Sequence, residues 1–198
     1  MRHALESLAL FTAVGALSLT LTGCEKSPGA AASAEPAPSA GATRMAPANH
    51  TAPMALIGKA LPAIALHSTA GQTETLAGAE GKPTVLVLWS TWCQACLHET
   101  AQLTTWADSR KDVGLEIVNV DGLMGDEPDL EKVSAQAKKI GVTGPVWTTR
   151  VADLPKLGVR TCPVSLVVDA KGIVKAAREG YKGADEMNQW LDRELTAL

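Results

Sequence analysis

Apolar positions along this chain change period several times, and each change marks an element. Residues 8–21 form one apolar stretch broken only by small or hydroxyl side chains, with Arg2 and His3 ahead of it. It is short for a bilayer-spanning helix and suits the core of a signal peptide. Residues 25–55 show no period and are mostly Ala, Pro, Ser and Gly, which predicts a disordered tether. Periodicity returns after that. Residues 63–66 and Thr73–Leu76 read as short strands about a turn at Gly71. Thr84–Trp89 is a continuous apolar run, the mark of a strand buried on both faces.

A helical period follows over residues 93–110, where Cys96, Glu99, Leu103 and Trp106 fall on one face. Residues 115–120 read as a second buried strand. Asp126 with Pro128 is expected to open another helix, carrying the stripe Leu130, Val133, Ala137 and Ile140. A short element spans 146–148. Strands at Val164–Val168 and 173–177 flank Asp169-Ala170-Lys171-Gly172, a hairpin turn. A last helix over 184–197 presents Met187, Trp190, Leu191 and Leu195. This order predicts an α/β domain over 56–198, with a central mixed sheet flanked by helices and a β extension at its N-terminus.

Composition narrows the class. Hydrophobic residues make up 46% of the chain, enough for one core. A formal charge of −3 argues against nucleic acid as a partner and against a basic membrane-binding face. The signal-like stretch ends in Leu21-Thr22-Gly23-Cys24, which resembles a bacterial lipoprotein cleavage box. That resemblance implies removal of residues 1–23, lipidation of Cys24, and a tether over 24–55 holding the domain to a membrane through several acyl chains. The domain would then face the periplasm or another extracytoplasmic space of a bacterial cell envelope. An ordinary secretory signal beside a stray cysteine is the alternative. Met45, His50 and Met54 in the tether are soft ligands, but three of them on a flexible segment more often bind nothing.

With Cys24 lipidated, Cys93, Cys96 and Cys162 remain as thiols. An odd count cannot form a framework of structural disulfides, so chemistry is the expected use. Cys93-Gln94-Ala95-Cys96 lies where the buried strand meets the helix. The helix-end partial charge and unpaired backbone N–H groups there stabilise a thiolate at Cys93, the expected nucleophile. Cys96, one turn deeper, would resolve the mixed disulfide. The plainer alternative is a structural disulfide. No second such pair exists, so a four-ligand structural zinc site is not expected, nor any cofactor beyond the redox-active disulfide. Glu99 shares the Cys96 face. Burial there would raise its pKa and suit it to accept the Cys96 proton, whereas an exposed helix carboxylate would do nothing. Trp92 is expected to shield the cysteines and meet partners, while Trp89, Trp106 and Trp190 pack. His98 points away from the stripe, into solvent.

Taken in order, the motifs from residue 57 to the C-terminus resemble the thioredoxin superfamily, specifically membrane-anchored TlpA/ResA-type thiol–disulfide oxidoreductases. The pieces are Ile57-Gly58-Lys59-Ala60-Leu61-Pro62, Gly81-Lys82-Pro83, Trp89-Ser90-Thr91-Trp92-Cys93-Gln94-Ala95-Cys96, Val118-Asn119-Val120-Asp121, Val159-Arg160-Thr161-Cys162-Pro163 and the Asp169–Gly172 turn. The resemblance implies a thioredoxin-like fold and a cis peptide bond before Pro163. It implies a substrate surface at Trp92, Cys162 and Pro163, and an acid with the role proposed for Glu99. It implies reduction of disulfides in extracytoplasmic cysteine-containing proteins, of the cytochrome c maturation or copper-site assembly type, with a membrane thiol-relay protein as reductant. The chain departs from the pattern at Gln94-Ala95 and Thr100-Ala101, which lack prolines, and at Cys162, where a small or β-branched residue is usual. A third thiol beside Cys93 could form an alternative disulfide or complete a three-sulfur Cu(I) site, or it could be a small buried hydrophobe. A copper-binding chaperone using Cys93, Cys96 and Cys162 is therefore a second reading, and a thiol peroxidase a weaker third.

Overall fold

Seven strands form one mixed sheet in this computed structural model, which describes residues 53–76 and 81–198. The expected signal peptide, Cys24 and nearly all of the tether lie outside the described residues. The strands are β1 (Ile64–Ser68), β2 (Thr73–Leu76), β3 (Thr84–Trp89), β4 (Gly114–Asn119), β5 (Trp147–Thr149), β6 (Val164–Val168) and β7 (Val174–Glu179). The helices are α1 (Gln94–Asp108), α2 (Leu130–Lys139) and α3 (Ala184–Thr196). The sheet order is β2-β1-β5-β4-β3-β6-β7. Strands β3, β4 and β5 run parallel, and every other neighbouring pair is antiparallel.

Strand β3 is central and buried at all six positions, as its unbroken apolar run predicts. Its alternate residues face two cores. Val85 and Val87 meet Leu103 of α1 and Met187, Trp190 and Leu191 of α3, while Trp89 meets Cys96, Ile117 and the α2 residues Val133 and Ala137. Leu86 and Leu88 look the other way, toward Leu154 and Leu157 of a 3-10 segment (Val151–Leu157) and Leu56 of another (Pro53–Leu56). All three α-helices thus cover one face, and 3-10 segments cover the other. Each fully buried aliphatic side chain contributes about 1.5–3 kcal/mol, so β3 is the sheet's anchor.

Two expectations need correction. The second helix does not open at Asp126 and Pro128. It begins at Leu130, because the carboxylate that sits one residue ahead of the first helical turn is Asp129, whose Oδ1 accepts the Glu131 and Lys132 N–H groups at 3.0 and 3.1 Å. Leu130 is consequently 42% exposed, and only Val133 and Ala137 of its stripe are buried. The first helix is shorter than 93–110, with Cys93 as its N-cap and Asp108 as its last residue. The hairpin turn forms as read. Asp169 Oδ1 accepts the Lys171 and Ile173 N–H groups, both at 2.9 Å, and Gly172 supplies the left-handed backbone (φ 78°) that closes it.

Candidate active site

The site grows out of the end of β3. Ser90 is buried, and Thr91 is clamped: its N–H and its hydroxyl both donate to the Asp121 carboxylate, each at 2.7 Å. Asp121 is itself oriented by Asn119, whose Nδ2 donates to Oδ1 at 3.1 Å. The chain then exposes Trp92 (46%) and delivers Cys93 to the N-cap of α1. Cys93 and Cys96 form a disulfide. The Cys96 N–H points at Cys93 Sγ from 3.2 Å, the geometry that favours a thiolate at a helix start. Cys93 is half-buried, whereas Cys96 is fully buried (0%) against Trp89, Ile117 and Val133. One sulfur is therefore reachable and the other waits behind it.

The loop before β6 closes the site from the opposite side. The peptide bond between Cys162 and Pro163 is cis, and the Cys162 carbonyl lies 3.6 Å from Cys93 Sγ, within reach of a thiol proton in the reduced protein. Cys162 is a free thiol, half-buried, with its Sγ 3.1 Å from Ser90 Oγ. Burial pushes this thiol up from its ordinary pKa; the Ser90 contact opposes that shift and the Asp121 charge adds to it. The Sγ atoms of Cys93, Cys96 and Cys162 all lie within 4.8 Å of one another.

Glu99 sits one turn beyond Cys96 on the same helix face and is 1% exposed. Its Oε1 accepts a short hydrogen bond from Ser165 Oγ of β6, and its Oε2 is buried with no partner. Burial pushes its pKa up to about 7, against the pull of the Ser165 hydroxyl and the Arg178 charge. Such a carboxyl can take or give a proton near neutrality. The exposed-carboxylate alternative for Glu99 is excluded. His98, by contrast, is exposed as expected.

Residues 57–177, more than half of the chain, match the AhpC/TSA family. The chain belongs to that family. Among curated relatives it is similar to sporulation thiol-disulfide oxidoreductase A of Bacillus subtilis strain 168, at 25% identity over 67% of this chain and 81% of that one. It is also similar to the thiol-disulfide oxidoreductase ResA of Geobacillus thermodenitrificans, at 28% identity over 69% of this chain and 76% of the relative. A solved thioredoxin-family thiol:disulfide interchange protein from Chlorobium tepidum shares the fold, with a TM-score of 0.55 at 19% identity, covering 69% of this chain and 95% of that one. This AhpC/TSA member is thus a thioredoxin-like thiol–disulfide oxidoreductase carrying a Cys93–Cys96 pair.

Sequence reasoning brings Trp92, Cys93, Cys96, Glu99, Cys162 and Pro163 forward, and the fold gathers them at one end of the central strands. It misses the residues that hold them. Ser90, Asp121, Ser165 and Arg178 each touch or electrically face a member of the site. A signal was present for two of them. Ser165 interrupts an otherwise apolar buried strand, and Asp121 stands directly after one.

Proposed function

We propose that this family member is an extracytoplasmic protein-disulfide reductase, lipidated at Cys24 after loss of residues 1–23 and tethered through residues 24–55 to a membrane of the bacterial envelope. The observation that carries the redox reading is the half-buried Cys93 at the N-cap of α1, disulfide-bonded to a fully buried Cys96. In the reduced protein the Cys93 thiolate attacks a partner's disulfide, forming a mixed disulfide and expelling one partner thiolate. Cys96 then gives its proton to Glu99 and attacks Cys93 Sγ. The second partner thiolate leaves, and the Cys93–Cys96 disulfide is formed. Two electrons pass to the partner, and a membrane thiol-relay dithiol returns them. Trp92, Cys162 and the backbone at Pro163 rim the reachable sulfur and serve as the partner-binding surface. Apocytochrome c and copper-site proteins, both presenting paired cysteines outside the cytoplasm, are the substrate types this reading favours.

The test is a covalent trap. Cys96→Ser combined with Cys162→Ser leaves Cys93 as the sole site thiol and should hold partners as mixed disulfides that dithiothreitol releases. Adding Cys93→Ser should abolish them. Capture that persists without Cys93 overturns the reading. The direction of exchange is checked by equilibration with glutathione: a potential well above about −200 mV would mark an oxidant rather than a reductase.

A further inference from the structure

Cys162 has no part in the two-cysteine cycle as a redox group, yet it is aimed into it. Its Sγ is held beside Ser90 Oγ at 3.1 Å and lies, with those of Cys93 and Cys96, inside a sphere of contacts no wider than 4.8 Å. Among the described residues this is the one group of three or more candidate ligand atoms so closely gathered, and all three are sulfur. Metal–thiolate bonds of about 2.3 Å place the sulfurs of a trigonal site about 4 Å apart, so little motion is needed once the Cys93–Cys96 bond is opened.

We propose that the reduced protein binds one Cu(I) ion through Cys93, Cys96 and Cys162, and that oxidation of the Cys93–Cys96 pair releases it. The donor set selects the metal. Thiolates without oxygen or imidazole partners favour a soft monovalent ion, whereas a closed zinc site takes four ligands and, among the described residues, no fourth His, Cys, Asp or Glu joins this cluster. The surroundings fit as well. Cys96 lies in an apolar core with Trp89, Ile117 and Val133, against which Cys93 and Cys162 also pack, so the floor of the site is dry. Cys93, on the solvent side beside exposed Trp92, is the ligand through which an exchanging partner would enter.

Loading leaves all oxidation states unchanged: three thiols bind one Cu(I) and release three protons. Release, which rests on the exchange reading above, couples to the redox cycle. Cys93 and Cys96 deliver two electrons to a partner's disulfide and join as a disulfide. The ion, left with Cys162 alone, departs still as Cu(I), and the partner's two sulfurs and Cys162 take up three protons from solvent.

The experiment uses the full chain, reduced and kept without oxygen, with Cu(I) supplied as its bicinchoninate complex. One ion per chain should transfer to the reduced wild type, X-ray absorption should count three sulfurs around it, and none should transfer to the oxidised wild type. Cys162→Ser should weaken binding by at least about 100-fold, since even partners outside the coordination shell are commonly worth 10- to 100-fold. The proposal is overturned by no transfer to the reduced wild type, by two sulfurs in its spectrum, or by equimolar Zn(II) displacing the copper. The spectrum and the redox comparison both use the wild type, so they decide the matter even where the variant fails to fold. Insulin reduction by the metal-free wild type tests the exchange reading separately, and its loss with copper uptake intact would remove that reading and the release step that rests on it, leaving the Cu(I) site.

Discussion

Glu99 concentrates the chemistry of the site in one side chain. A carboxyl on an apolar helix face is costly when charged, and here it is buried with one oxygen unpartnered. Its pKa of about 7 makes it a base that is half available at neutral pH. Exchange turnover should therefore rise with pH through about 7 as Glu99 loses its proton. Glu99→Gln should lower the resolving step by about 100-fold and remove that rise. Ser165→Ala removes the hydroxyl that holds the pKa down, so it should move the same inflection to higher pH. Stopped-flow turnover from pH 5 to 9 reads both. An unmoved inflection in both variants would assign the titration to another group.

At the scale of elements, the site depends on how the strand β3 passes into the helix α1. Asp121 holds Thr91 by two hydrogen bonds from the end of the neighbouring strand, fixing where the helix starts and so where Cys93 stands. Asp121→Ala leaves a part-buried N–H and hydroxyl without their acceptor. It should cost about 1–3 kcal/mol in urea unfolding and slow the exchange of Cys93 with a model disulfide. Unchanged stability would mean that water replaces the carboxylate.

The elements themselves differ in how readable they are. Thr84–Trp89 and Val164–Val168 are continuous apolar runs, and their observed limits equal the expected ones. The 3-10 segments at Asp121–Met124 and Val151–Leu157 carry no expectation, and Pro53–Leu56 falls mostly within the residues read as a tether, because a few residues are too short to display a period. The α2 start is misplaced for another reason: the reading takes Asp126 with Pro128, while the cap that forms is Asp129, three residues on. The burial of Glu99 follows from the stripe it shares with Cys96 and Leu103. Its partner Ser165 lies 66 residues away on a strand whose pairing with β3 no local pattern encodes.

For the whole molecule, the same carboxyl links stability to pH. Below pH 4.5 the folded and unfolded chains both hold the Glu99 proton; between 4.5 and about 7 only the folded chain does. Stability should fall as pH rises across that window and level off above it, by about 3 kcal/mol from this group. Urea midpoints at pH 4.5 and 8, compared with those of Glu99→Gln, isolate the effect. A wild type whose pH dependence matches the variant's would show that Glu99 titrates as an ordinary carboxylate.

Cys93 is half-buried at the mouth of the site and Cys96 is sealed at 0% exposure behind it. Of the disulfide's two sulfurs, a visitor can thus grip only the outer one. The inner atom is closed to an oxidant or alkylating agent arriving from solvent. How long each covalent encounter lasts is then set jointly, by how readily the buried sulfur is deprotonated and by how well the partner's own thiolate leaves.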